Sequence, residues 1–162
     1  MDRPHVNVHY ERDFAFPVDV AYAWLTDYVD DDHARAGAII KKRIVIRKEL
    51  DKDGRPVEFE LEGELETLGQ KTGTGRAVVK LFPDEKRWQA SLAGGRWIYD
   101  YMLVPRGANK CRIKIDYRMS SKRWQRRLML TLYKPLIRRE LDRMWDGFDA
   151  AMKKELAIET VA

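Results

Sequence analysis

Apolar and polar positions alternate along much of this chain, and where the alternation stops a helical spacing takes its place. In the stretch from Val6 to Phe16, Val6, Val8, Tyr10 and Phe14 take alternate places, which is the period-2 pattern of a strand with one buried face. Pro17 ends that strand, because proline donates nothing to a ladder but suits the first turn of a helix. From Val18 to Tyr28 the residues Val20, Ala21, Trp24, Leu25 and Tyr28 recur at spacings of three and four, predicting an amphipathic helix. Asp27, Asp30, Asp31 and Asp32 break the pattern. A second short helix is expected through His33-Ala34-Arg35-Ala36, stopping at Gly37.

Between Ile39 and Met119 the signals are those of strands and turns. Ile40 to Leu50 puts Ile44 and Ile46 on one face, with Arg43, Val45 and Arg47 on the other. After a turn over Asp51–Pro56, Val57, Phe59, Leu61 and Leu65 alternate with Glu58, Glu60, Glu62, Glu64 and Glu66. Gly75 to Leu81 reads as the next strand, turning at Pro83-Asp84-Glu85-Lys86. Trp88, Ala90 and Leu92 then alternate with Arg87, Gln89 and Ser91, and Gly94-Gly95 signals a tight hairpin. Both faces of Trp97–Val104 are apolar; turning Trp97, Tyr99, Tyr101 and Leu103 inward leaves Asp100 outside. Past Arg106–Asn109, Cys111, Ile113, Ile115, Tyr117 and Met119 alternate with charged residues.

The remainder reads as helix. Ser120 and Ser121 are candidate N-caps, and Trp124, Leu128, Leu132 and Leu136 fall at intervals of four. Ile137, Leu141, Met144, Trp145, Phe148, Met152 and Leu156 carry an apolar stripe onward. Pro135 must kink or interrupt this helix, since it lacks an N–H and crowds the preceding turn.

The element order predicts an α+β architecture over residues 1–162 as one domain. A curved antiparallel sheet of six to seven strands wraps a long C-terminal helix, with two short helices after the first strand. One helix across the concave side of a strongly curled sheet leaves space near its ends, so an interior cavity is expected. The segment Phe14-Ala15-Phe16-Pro17-Val18-Asp19-Val20-Ala21-Tyr22-Ala23-Trp24-Leu25-Thr26-Asp27 resembles the opening of the START-like (SRPBCC) superfamily of polyketide cyclases, pollen-allergen-like and lipid-transfer domains, the helix-grip fold. That resemblance implies a hydrophobic ligand cavity between sheet and long helix. It carries no common catalytic set.

Composition narrows the function classes. Apolar residues make up 44% and charged residues 35% of the 162, as in a globular, highly soluble chain. The single cysteine, Cys111, excludes an internal disulfide framework and a cysteine-rich zinc site, and reads as a small core residue. The charged start Met1–His5 lacks the apolar region of a secretory leader, and the run Leu128–Ile137, interrupted by Lys134 and Pro135, is too short to span a bilayer. A cytoplasmic protein is expected.

The net charge of +5 is unevenly spread. Lys122, Arg123, Arg126, Arg127, Lys134, Arg138 and Arg139 follow one another with no acid among them, whereas residues 49–66 are strongly acidic. The basic stretch is interleaved with Trp124, Leu128, Met129, Leu130, Leu132 and Tyr133, a composition that suits peripheral contact with an anionic membrane as well as a wet helix packed on the sheet. No stacking platform or recognition motif accompanies the charge, so no nucleic-acid partner is expected. The glutamates from Glu58 to Glu66 share one face and call for bases opposite them: Lys41, Arg43 and Arg47 on one side, Arg76 and Lys80 on the other. Asp27, Asp30, Asp31, Asp32 and His33 fit no calcium-loop spacing and read as helix-start acids; no metal and no cofactor is expected.

The candidate ligand site is the set of aromatics turned inward: Tyr10, Phe14, Phe59, Trp88, Trp97, Tyr99, Tyr101 and Tyr117 from the sheet. Leu141, Trp145 and Phe148 face them from the helix. With His5, His9 and His33 as the only histidines, no nucleophile–base arrangement is legible. Three readings stay open. The first is a binder or carrier of a small hydrophobic molecule such as a lipid, isoprenoid or polyketide-like ring. The second is a polyketide cyclase or dehydratase using Tyr99, Tyr101, Tyr117 or inward Arg12 as acid–base or polarising groups. The third is an interaction module built on the basic helix 122–139.

Overall fold

The computed structural model describes residues 5–28, 40–67, 70–121 and 123–161. Among these residues seven strands form one antiparallel, curved sheet: β1 (His5–Phe14), β2 (Ile40–Leu50), β3 (Pro56–Thr67), β4 (Gln70–Phe82), β5 (Arg87–Leu92), β6 (Trp97–Gly107) and β7 (Lys110–Ser120). Their spatial order is β1-β7-β6-β5-β4-β3-β2, so β2 to β7 run as a meander and β1 adds beside the last strand. Helix α1 (Val18–Leu25) follows β1, and α2 (Trp124–Leu132) and α3 (Lys134–Val161) close the chain.

Alternation sets which side of the sheet is buried. In β7 Cys111, Ile113, Ile115, Tyr117 and Met119 are all buried while the residues between them are not. In β6 the inward set is Tyr99, Tyr101 and Leu103, with half-buried Trp97 on the same parity, as the position of Asp100 requires. The register pairs like with like across the sheet: Tyr99 stands opposite Tyr117, and Tyr101 opposite Ile115 and Trp88.

On the convex side the glutamates of β3 meet three of the predicted bases, Arg47, Arg76 and Lys80; the side chains of Lys41 and Arg43 lie outside the described ones. Arg47 Nη2 lies 3.1 Å from Glu58, Arg76 Nε 2.8 Å from Glu62, and Lys80 Nζ 3.6 Å from Glu58. These pairs partly cover the acids, so Glu58 keeps only 19% of its side-chain surface and is not a freely solvated group.

Four local expectations are corrected. In β2 the side chain turned to the core is Val45, opposite Leu61, while Ile44 and Ile46 are exposed. Irregularities between Lys41 and Ile44 and between Val45 and Arg47 break the simple alternation of this edge strand. In α1 it is Tyr22 that is buried with Ala21 and Trp24, and Val20 that is exposed. Helix α2 starts at Trp124 with Arg123 as its N-cap. Neither Ser120 nor Ser121 caps it; the Ser121 hydroxyl only accepts from the Arg123 N–H at 3.3 Å. Strand β4 begins at Gln70, five residues before the expected Gly75. The second short helix, expected over residues 33–36, lies outside the described residues.

Pro135 acts as predicted. The C-terminal helix is interrupted at Tyr133, and Pro135 sits in the first turn of α3, where its missing N–H removes no helical bond. Helix α3 then lies against the concave face, burying Leu141, Trp145 and Met152. Polar ties fix it. The Tyr10 hydroxyl donates to Asp142 at 2.8 Å, Arg12 pairs with Asp146 at 2.6 Å, and the indole N–H of Trp24 donates to Glu155 at 2.7 Å.

Candidate functional site

Helix α3 and strands β1, β5, β6 and β7 bring seven of the eleven predicted site residues into one aromatic cluster. Tyr99 and Tyr117 stack with ring centroids 4.1 Å apart, Tyr99 and Tyr101 at 6.0 Å, and Trp88 and Tyr101 at 4.8 Å. The stack follows from the register: cross-strand neighbours on one face of an antiparallel sheet are close enough for flat rings to lie parallel. From the helix, Trp145 meets Tyr101 edge-on at 6.1 Å and packs against Phe14 and Phe148.

The other four predicted residues stand apart from that cluster. Phe59 packs with Tyr28 at 5.1 Å, toward the β2 edge. Trp97 is half-buried at the periphery, and Leu141 fills core. Tyr10 is committed to Asp142. Two aromatics outside the predicted set join the cluster: Tyr22 meets Trp88 at 5.9 Å and Trp24 meets Phe148 at 6.1 Å. Tyr22 had a legible signal, since Val18, Ala21, Tyr22 and Leu25 fall at i, i+3, i+4 and i+7.

No charged side chain is fully buried among the described residues. Thr26 is the only polar or charged residue that is buried among the described residues, and its hydroxyl donates to the Tyr22 carbonyl at 2.7 Å. Burial pushes the Tyr99 and Tyr101 hydroxyls well above the ordinary tyrosine value, and raises Tyr117 as well. All three stay protonated at neutral pH, and the Tyr99 hydroxyl is already engaged with that of Tyr117. Tyr101 makes no side-chain hydrogen bond to any described residue. The indole Nε1 of Trp145 is sealed from solvent and likewise has no partner. A sealed N–H with no acceptor is uncommon in a native core and carries a desolvation penalty. Arg87 Nε, the other sealed atom without a hydrogen bond, still lies 3.3 Å from Asp100.

Arg12, named as a possible polarising group, takes another role, and Cys111 is the core residue expected of it. Arg12 is on the inward parity of β1, but its guanidinium reaches Asp146 and Asp149 of α3 and ties strand to helix. Cys111 is fully buried, and burial pushes its thiol up to about 11, so it is packing and not a nucleophile. Of the acidic cluster, Asp30 to His33 lie outside the described residues.

No protein-family model matches this chain, and no curated protein matches it by sequence. Solved structures do. The Zhui aromatase/cyclase from Streptomyces sp. R1128 superposes with a TM-score of 0.73 at 10% identity, covering 94% of this chain and 96% of that one. A START superfamily protein from Mycobacterium smegmatis gives 0.69 at 17% identity over 93% and 99%. Norcoclaurine synthase from Thalictrum flavum gives 0.57 at 15% identity over 96% and 88%. With its antiparallel sheet curved about a long C-terminal helix and this agreement along nearly the whole chain, the protein has the START-like, SRPBCC helix-grip fold.

Proposed function

We propose that this protein binds a small, neutral, hydrophobic molecule that contains a ring and at least one hydrogen-bond acceptor, held between the concave face and α3. The observation that carries the reading is the stacked wall of Trp88, Tyr101, Tyr99 and Tyr117, where among the described residues no charged side chain is buried and the Tyr101 hydroxyl and the Trp145 N–H have no acceptor. Flat rings favour a flat guest, and donors left without partners favour a carbonyl or ether oxygen on it. An ionised ligand is disfavoured, because no buried counter-charge is present among the described residues. A neighbour in fold, norcoclaurine synthase, has been solved in complex with dopamine and hydroxybenzaldehyde, which supports small aromatic guests for this architecture.

Lipid, isoprenoid and polyketide-like rings all fall within that class, and carriage of such a molecule is the reading we favour over catalysis. The protonated tyrosines could polarise a carbonyl in a cyclase or dehydratase, but they are poor proton acceptors at neutral pH, and Arg12 is occupied by α3.

Titration with 1-tetralone and with tetralin, which lacks the carbonyl, tests the reading on the protein's indole N–H resonances. Tetralone should shift the Trp145 and Trp88 signals, leave Trp124 in place, and bind about 3- to 10-fold tighter than tetralin through one added hydrogen bond. Tyr101→Phe should reduce that preference if its hydroxyl is the donor. Shifts confined to Trp124, or no shifts, would sink the proposal.

A further inference from the structure

Helix α2 and the start of α3 carry an apolar face on the outside of the molecule. Trp124, Leu128, Met129, Leu132, Tyr133 and Leu136 are all exposed, Trp124 at 63% and Leu132 at 70%. Trp124, Leu128 and Leu132 recur every four residues along one row, with Met129, Tyr133 and Leu136 beside it, so the surface is continuous. Only Leu130 and Ile137 from this stretch pack against the core. The sheet and α3 have thus taken the opposite side of α2, and the larger apolar side is left without a partner among the described residues.

The charge around this face is of one sign. Arg123, Arg127, Lys134, Arg138 and Arg139 are interleaved with it, and no acid occurs between Asp116 and Glu140. None of the five makes an ion pair with a described residue. Bases on the sheet behave differently: Arg47, Arg76, Lys80 and Arg112 are each engaged by nearby carboxylates.

We infer that this face docks on an anionic lipid bilayer, with Trp124 and the leucines inserted at the headgroup boundary and the bases on lipid phosphates. The combination is that of an interfacial helix, apolar on one side and cationic beside it. No helix among the described residues is long and apolar enough to cross a membrane, so the contact is peripheral. A second copy of this chain is a poorer occupant, because pairing this face with itself would oppose two sets of bases. Nucleic acid would use the cations but leave the leucine row without a complement. The docking does not depend on the ligand reading, and its test involves no ligand.

The experiment is co-sedimentation of the full chain with vesicles of phosphatidylcholine alone and of phosphatidylcholine mixed with phosphatidylglycerol. Binding should need phosphatidylglycerol and weaken by about tenfold or more between ~0.1 M and ~1 M salt, as the Debye length falls from about 10 Å to about 3 Å. Trp124 should emit at shorter wavelength on binding and become quenchable by brominated lipid, with the signal lost in Trp124→Phe. Leu132→Glu places a charge on a position already exposed, so the fold is retained; it should lower vesicle binding about tenfold or more. Lys134→Glu with Arg138→Glu should do the same by removing the charge match. Failure to sediment with phosphatidylglycerol vesicles overturns the inference, as does equal binding to phosphatidylcholine alone or unchanged binding by Leu132→Glu. A wild-type dimer that Leu132→Glu converts to monomer would assign the face to a second copy and also overturn it.

Discussion

Trp145 and Trp124 lie on consecutive helices within one run of apolar spacing, and they end in opposite surroundings: 2% exposed against 63%. Around Trp145, α3 presents Leu141 and Met152 to the concave face, with Phe14 and Tyr101 opposite. Around Trp124, α2 turns its larger apolar side outward. Periodicity reports that a helix has a side to be covered. It does not report what covers it. The interruption at Tyr133, set by Pro135, separates a helix gripped by the sheet from one that is not.

The two regions should respond differently to substitution. The largest effect is expected at Phe59, buried to 2% exposure, where Phe59→Ala should lower the urea unfolding free energy by about 3–5 kcal/mol. Trp145→Ala should fall toward the low end of that range. The lost packing is partly offset by removing an N–H that has no acceptor. Equal or larger loss than at Phe59 would argue that the Nε1 is satisfied in solution. Tyr10→Phe deletes the hydrogen bond to Asp142, together with the hydroxyl's contact with Arg12, and should cost about 0.5–1.5 kcal/mol, read in the same denaturation experiment.

Outside the core the effects become small. Trp124→Ala and Leu132→Ser should each change stability by less than about 0.5 kcal/mol, and a loss near that of Trp145→Ala would place α2 in a packed interface of the free protein. Glu60→Gln should also stay within about 0.5 kcal/mol, because its partners Arg47 and Arg76 are surface groups that retain other acids. The smallest effect is a pH dependence from His9. The His9 ring donates to Asp116 at 2.7 Å, and that bond raises its pKa above the ordinary 6.5 against a lesser opposing effect of burial. A raised folded-state pKa contributes stability that is complete below about 6.5 and is lost as pH rises through the folded value. Thermal unfolding should therefore shift slightly downward as the buffer moves from mildly acidic to mildly basic. His9→Gln should flatten that slope, and an unchanged slope would remove His9 as its source.

Much of the fold is legible in the chain because alternation in a half-buried strand is imposed residue by residue. Glu58 to Glu62 against Phe59 and Leu61, and Cys111 to Met119, show the period directly, and the bases needed opposite the glutamates could be named in advance. The parity of β6 follows from one residue, Asp100, that is hard to bury. Where the pattern misleads, the ladder itself is irregular, as in β2, where two register shifts carry Ile44 and Ile46 to the surface.

The site is legible only as a composition. Eight candidate residues follow from strand parity and three from helical spacing, but that Tyr99 stacks on Tyr117, that Phe59 stands apart with Tyr28, and that Arg12 is spent on Asp146 depend on register and on where α3 crosses the sheet. Local spacing constrains which side of an element is apolar, since 2.0 and 3.6 residues per repeat are properties of the backbone. Which apolar side is buried is settled by competition among elements for one concave surface. Trp145 won a place there and Trp124 did not; Pro135 marks where the helix breaks, but apolar spacing alone does not say which side of the break is gripped.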